Sequence, residues 1–255
     1  MTDSAATTRI SLEEIANKYL GALQKNHDML SYFLSGSRKT TEADYDEFSN
    51  QLQVMPRQTD RLDFENAKRA TQQWVLRNTL SDSLALVMPL LEDARTVCAL
   101  CDFKASGSTD QAELQKIANQ SRAEFLQKPL VEKFAHLKDT YGIDCEVSEH
   151  ILILMDICKA LMTKNGILTE EEAIDGKRTL KIRSVQIVQT PSTDGSGQSL
   201  SLSRKVGDST REIKVGEEIH FNKAEQVGSI LTVGVFISDI LKGIQGYAQK
   251  TGVAN

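Results

Sequence analysis

Over most of this chain the apolar residues recur at intervals of three and four, and only between Lys177 and Phe221 do they alternate at two. The first period is that of one helix face, and the second that of a strand with one covered side. A single change of period, reversed before the C-terminus, restricts the fold. It must be a set of helices with one β-element placed before a last helix.

The helical segments carry their own start and stop signals. Ser11 followed by Glu14 has the spacing of a capping box, and Ile15, Tyr19, Leu23, Leu30 and Phe33 continue as a stripe. Thr41–Val54 reads as a second, more polar helix, closed before Pro56. Asp63 is placed to cap the longest pattern, which runs to Cys101 and should span about 55–60 Å if unbroken. Pro89 lies inside it and should kink or split it. A polar break at Lys104–Thr109 precedes a helical region over Asp110–Thr140, in which Pro129 should impose a bend before Tyr141-Gly142 ends it. Glu146–Thr163 is short and greasy, stopped by Asn165-Gly166, and an acidic turn follows over Thr169–Asp175. Asn222 with Glu225 forms a second capping-box signature ahead of a final apolar helix. Four glycines, Gly228, Gly234, Gly243 and Gly246, interrupt that helix and point to close backbone approach.

Within Lys177–Phe221 the alternation divides into three short strands. Leu180 and Ile182 alternate with Lys181 and Arg183, and the phase slips after Ser184, as a bulge would cause. Leu200 and Leu202 alternate with serines, and Ile213, Val215, Ile219 and Phe221 fall on one face. Gly207-Asp208-Ser209-Thr210 is turn chemistry and should join the second and third strands, while Pro191–Gln198 reads as a flexible loop. The expected fold is therefore mainly α: a multi-helix bundle with a small three-stranded antiparallel sheet inserted before the C-terminal helix. Residues 1–9 are read as a disordered tail and 10–255 as one domain, made of bundle 10–176, β-element 177–221 and C-terminal helix 222–252.

Charge is unevenly placed. The window Lys177–Lys214 holds eight basic residues against three acidic ones, a net of +5. The whole chain is −5, so the remainder carries −10. Such asymmetry bears on partners rather than fold. A sequence pI near 5.5 argues against whole-surface nucleic-acid binding. Lys181, Arg183, Arg204, Lys205 and Arg211 are the residues expected to meet an acidic partner. The alternative to such a patch is neutralisation by the acidic turn Glu170–Asp175. No aromatic residue precedes Phe221 in the window, which disfavours a base-stacking platform.

Candidate chemistry is sparse. Cys98-x-x-Cys101 with His150 is a weak zinc candidate, set against core packing of two cysteines inside an apolar stripe. Glu132/His136 and Glu146/His150 are spaced i, i+4, not the i, i+3 of a di-metal bundle site, and read as surface ion pairs. His220 falls off the apolar face, where a solvated strand histidine is the plainer reading than an acid or base. No phosphate-binding glycine loop and no nucleophile elbow is present. The helical plan invites comparison with HEPN ribonucleases, whose signature is an arginine followed, after four to six residues, by a histidine. None of His27, His136, His150 or His220 has an arginine at that spacing.

These features lead to one expectation and one alternative. The expectation is a non-enzymatic helical interaction or assembly protein, self-associating or bound to another protein through the basic β-element, with no cofactor. The alternative is nucleic-acid binding or processing through the same element. No secretory leader and no apolar run of spanning length is read: Val227–Leu241 is short and contains Asp239. Four cysteines are too few for a disulfide framework, so the expected location is the cytoplasm, away from a membrane.

Overall fold

A computed structural model describes residues 11–51, 62–107, 110–192 and 199–253. The tail assigned to residues 1–9 lies outside them. Eight helices and two strands occur among the described residues, in the order α1 (Leu12–Gly36), α2 (Glu42–Gln51), α3 (Phe64–Leu84), α4 (Val87–Ala105), α5 (Gln111–Leu126), α6 (Leu130–Tyr141), α7 (Ser148–Thr163), β1 (Lys177–Ser192), β2 (Ser199–Lys214) and α8 (Lys223–Lys250).

The local signals set the helix ends. Ser11 Oγ accepts from the Glu14 N–H, and the Asp63 carboxylate from the Asn66 N–H at 2.8 Å. Asn222 and Glu225 bond each other's backbone N–H reciprocally at the start of α8. Pro89 does not kink a continuous helix. The chain breaks at Ala85-Leu86, which leaves Pro89 in the first turn of α4, where its missing N–H would have had no acceptor. Pro129 acts likewise: instead of bending one helix it stands as the N-cap of α6, and α5 ends at Leu126. Gly142, at φ 69°, closes α6 in a left-handed turn, its N–H donating to Lys138 O and the next N–H, of Ile143, to Leu137 O.

α8 is the centre of the packing and touches α1, α3, α4, α7 and β1. Val233, Phe236, Ile237, Ile240 and Ile244 on it are fully or almost fully buried. Two of its glycines are required by close approach. A Cβ on Gly228 would sit 2.7 Å from the Arg183 carbonyl oxygen, and one on Gly243 would sit 2.5 Å from Ile143 Cγ2. At 28 residues α8 exceeds the expected apolar run, and by length and composition it qualifies as a membrane span. Half of its most apolar window is buried against the rest of the protein, as in a core helix.

The β-element differs from the expected one. It is two strands, not three, paired antiparallel without interruption from Lys177↔Lys214 to Ser192↔Ser199. Ser184 pairs directly with Gly207, so there is no bulge there. Gly207-Asp208-Ser209-Thr210 lies inside β2 rather than in a turn. Turn-type residues are tolerated there because tertiary partners hold them: Asp208 bonds His150, and Gly207 accommodates Gln186, whose amide would lie 3.1 Å from an added Cβ. The third strand shrinks to one bridge. After β2 ends, Gly216 (φ 81°) turns the chain, and Glu218 bridges Ile167 while Ile219 N–H donates to Gly166 O at 2.7 Å. Ile219 and Phe221 are buried as expected, although outside a strand. The loop expected over Pro191–Gln198 falls largely on residues 193–198, which lie outside the described residues.

Candidate functional site

Cross-strand partners share a face of the sheet. Leu180, Ile182 and Ile213 are buried, and opposite them stand Arg211, Ser209 and Arg178. The apolar face therefore carries two arginines, Arg178 and Arg211. Arg211 reaches past the apolar residues to the start of α8. Its Nε donates to Glu225 Oε1 at 2.6 Å and its guanidinium to the His220 carbonyl at 2.6 Å. Arg178 pairs with Asp156 of α7.

On the other face, Lys181 donates to Glu149 at 2.9 Å. Arg183, only 12% exposed, pairs with Glu146 and, at 3.0 Å, with Asp208. The bond from Lys181 holds the Glu149 carboxyl below its ordinary range. Asp208 also accepts from His150 Nε2 at 3.2 Å. Burial lowers the His150 pKa more than Asp208 raises it, so the imidazole is kept neutral. The backbone is tied as well, since the Arg183 N–H donates to Thr232 Oγ1 of α8 at 2.8 Å.

Lys181, Arg183 and Arg211 are thus held by carboxylates of the same chain. The partners are Glu146 and Glu149, at the entry to α7, and Glu225 of α8, rather than the acidic turn Glu170–Asp175. That turn is occupied elsewhere: Glu171 and Glu172 face Lys159, and Glu171 also faces Lys164. Lys205 is exposed and makes no ion pair among the described residues. The Arg204 side chain lies outside the described ones.

Beyond Ser184 and Gly207 the ribbon continues for eight more residue pairs, about 25 Å of strand. Val185 and Val206 open this outer part. They stand directly opposite each other and are 54% and 48% exposed. No third strand lies along either edge of this outer part among the described residues.

The metal candidates stay apart. Cys98 and Cys101 are buried in the core, and His150 sits under the hairpin with Asp208. No group of three metal-ligating side chains occurs among the described residues. Burial pushes the Cys98 thiol up to about 12, far from a thiolate at neutral pH. The two acid–histidine pairs do not form either. Glu132 faces Lys128 at 3.9 Å, Glu146 faces Arg183, and His136 packs its ring on Phe125 and Tyr141. His220 is exposed between Gln73 and Glu218. What the alternation could not reveal is the set of helix carboxylates that meets the basic residues. Glu146 lies in the turn before α7 and Glu149 in its first turn, so no pattern in the sequence joined them. Compared with protein-family models, curated proteins and solved structures, the chain matches none.

Proposed function

We propose that this is a non-enzymatic interaction protein that docks a protein partner, or a second copy of itself, through the outer half of its β-hairpin. The observation that carries the reading is a two-stranded ribbon continuing nine residue pairs past its last described anchor, Arg183 with Asp208, with the exposed pair Val185 and Val206 near its start. A two-stranded ribbon in water is marginal, and its edges offer unpaired N–H and C=O groups to another chain. Lys205 and Arg204, the basic residues of this outer part, suit an acidic rim on that partner. The nucleic-acid alternative has less support, because Lys181, Arg183 and Arg211 would first have to leave their carboxylates. Four free thiols accord with a reducing compartment, and the cytoplasm is the proposed location.

The test compares the full chain with a Val185→Lys/Val206→Lys variant, by light scattering and by capture of partners from cell extract. Self-association or a captured partner that is lost in the variant, with helical content unchanged, supports the reading. A strict monomer that captures nothing, or complexes indifferent to the substitutions, would sink it.

A further inference from the structure

A cleft remote from the hairpin's outer half has a different chemistry. It measures about 650 Å³ and lies where the end of α1, one face of α3 and the start of α8 converge. Arg38, Lys68, Arg69 and Lys223 line it, and no carboxylate does. Arg38 follows the α1 cap, Lys68 and Arg69 are on the first turns of α3, and Lys223 opens α8. Three separate elements therefore bring four cations to one opening.

Unlike the hairpin's base, this cluster is not neutralised. Arg38, Arg69 and Lys223 make no ion pair among the described residues, and Lys68 has only Glu65 at 3.9 Å. The other anions nearby are already engaged: Glu218 bonds two residues of the cleft wall, His220 and Gln73, and Glu225 is buried against Arg211 and the Asn222 N–H. The capping box uses the N–H groups of Asn222 and Glu225, while those of Lys223 and Ala224 have no acceptor among the described residues. They add the positive end of a 28-residue helix to the same opening. Like charges gathered without counter-charge oppose folding unless something anionic binds them.

The remaining wall is not featureless. Leu34, Leu76 and Phe221 make an apolar floor. Gln226 lines the cleft at 8% exposure, its Nε2 donating to Phe221 O and its Oε1 buried without a partner. A buried acceptor of that kind calls for a hydroxyl or N–H. Gln226 also borders a neighbouring void of about 10 Å³, roughly the room one water needs.

The geometry points to a binding site for a small polyphosphate ester, of the size and charge of a nucleoside di- or triphosphate. Four cations exceed what a single phosphate needs. A volume of about 650 Å³ admits an organic group beside the phosphates. The phosphates lie against Arg38, Arg69, Lys68 and the α8 N-terminus. The organic part covers Leu34, Leu76 and Phe221, with a donor toward Gln226. The assignment does not depend on what the hairpin docks.

Calorimetric titration of the full chain with ATP, inorganic tripolyphosphate and adenosine tests it. ATP and tripolyphosphate should bind, more weakly as salt rises, and adenosine should bind poorly. Arg69→Glu and Lys223→Glu should each weaken both polyphosphates at least about tenfold, since each reverses a charge that contacts phosphate. Lys205→Glu should change nothing. A glutamate at position 223 suits the first turn of α8, so the Lys223→Glu fold should hold, as circular dichroism will check. Absence of heat with both polyphosphates, equal binding by Arg69→Glu and Lys223→Glu, or binding of a single-stranded oligonucleotide but of neither polyphosphate would overturn the assignment.

Discussion

Two glycines of one helix should respond to the same substitution with opposite signs. Gly246 is exposed, and a Cβ there meets nothing within 4 Å. Gly246→Ala should therefore yield the helix-propensity gain alone, about 0.8–1 kcal/mol. At Gly228 the added Cβ would lie 2.7 Å from the Arg183 carbonyl oxygen and 2.8 Å from Ile182 Cδ1. Ile182 can rotate in part, but the carbonyl belongs to a strand paired along its length with β2. Relief must come from moving β1 off α8, against the Arg183 N–H bond to Thr232 Oγ1 and the ion pair to Asp208. Overpacking of this kind costs about 1–3 kcal/mol, and a weakened hydrogen bond about 1 more. After subtracting the propensity gain of about 1 kcal/mol, Gly228→Ala should destabilise by about 1–3 kcal/mol. The two variants should thus differ by roughly 2–4 kcal/mol, or about 4–16 °C in Tm for a chain of this size. Urea unfolding followed by far-UV circular dichroism measures both. A Gly228→Ala protein as stable as Gly246→Ala would refute the claim that α8 and β1 pack backbone to backbone.

Further outcomes concern charge and thiols. Arg211→Ala should lower stability by about 1–2 kcal/mol, because it strips a partly buried charge-assisted bond from Glu225, whereas Lys205→Ala should lie within the error of denaturant titration. His150 and His136 both have pKa values lowered from 6.5 by burial, so the unfolded chain takes up protons that the folded one resists. Their contribution is complete above pH 6.5 and is lost as pH falls through that value, so Tm should drop between neutral pH and pH 5. A His150→Gln/His136→Gln variant should show a shallower slope, and an unchanged slope would contradict the buried neutral state. Burial raises all four thiols, Cys98 and Cys145 to about 12. In native protein Cys158, the one not fully buried, should react first with a thiol reagent, and Cys98 should wait for unfolding. Labelling of Cys98 and Cys101 at the unfolded rate would contradict their place in the core.

Sequence by itself determined the helical segments, their capped ends and the helical nature of the last one. Caps act over three or four residues, so Ser11, Asp63, Asn222 with Glu225 and Gly142 could be read directly, whereas the prolines marked where a helix is interrupted but not that Pro129 starts a new one. The glycines of α8 announced close approach, though not that β1 and Ile143 make it. Tertiary structure decided the rest. Gly207–Thr210 has the composition of a turn, yet pairing with β1 and the bonds of Asp208 to His150 and Arg183 extend β2 through it. The basic residues at the hairpin's base looked free because most of the carboxylates that hold them lie at the start of α7 and on α8, and their meeting depends on packing. The cleft cations Arg38, Lys68, Arg69 and Lys223 are ordinary surface residues in the sequence, separated by up to 185 positions. Local rules fix an element, while long-range burial alone fixes which charges share a space.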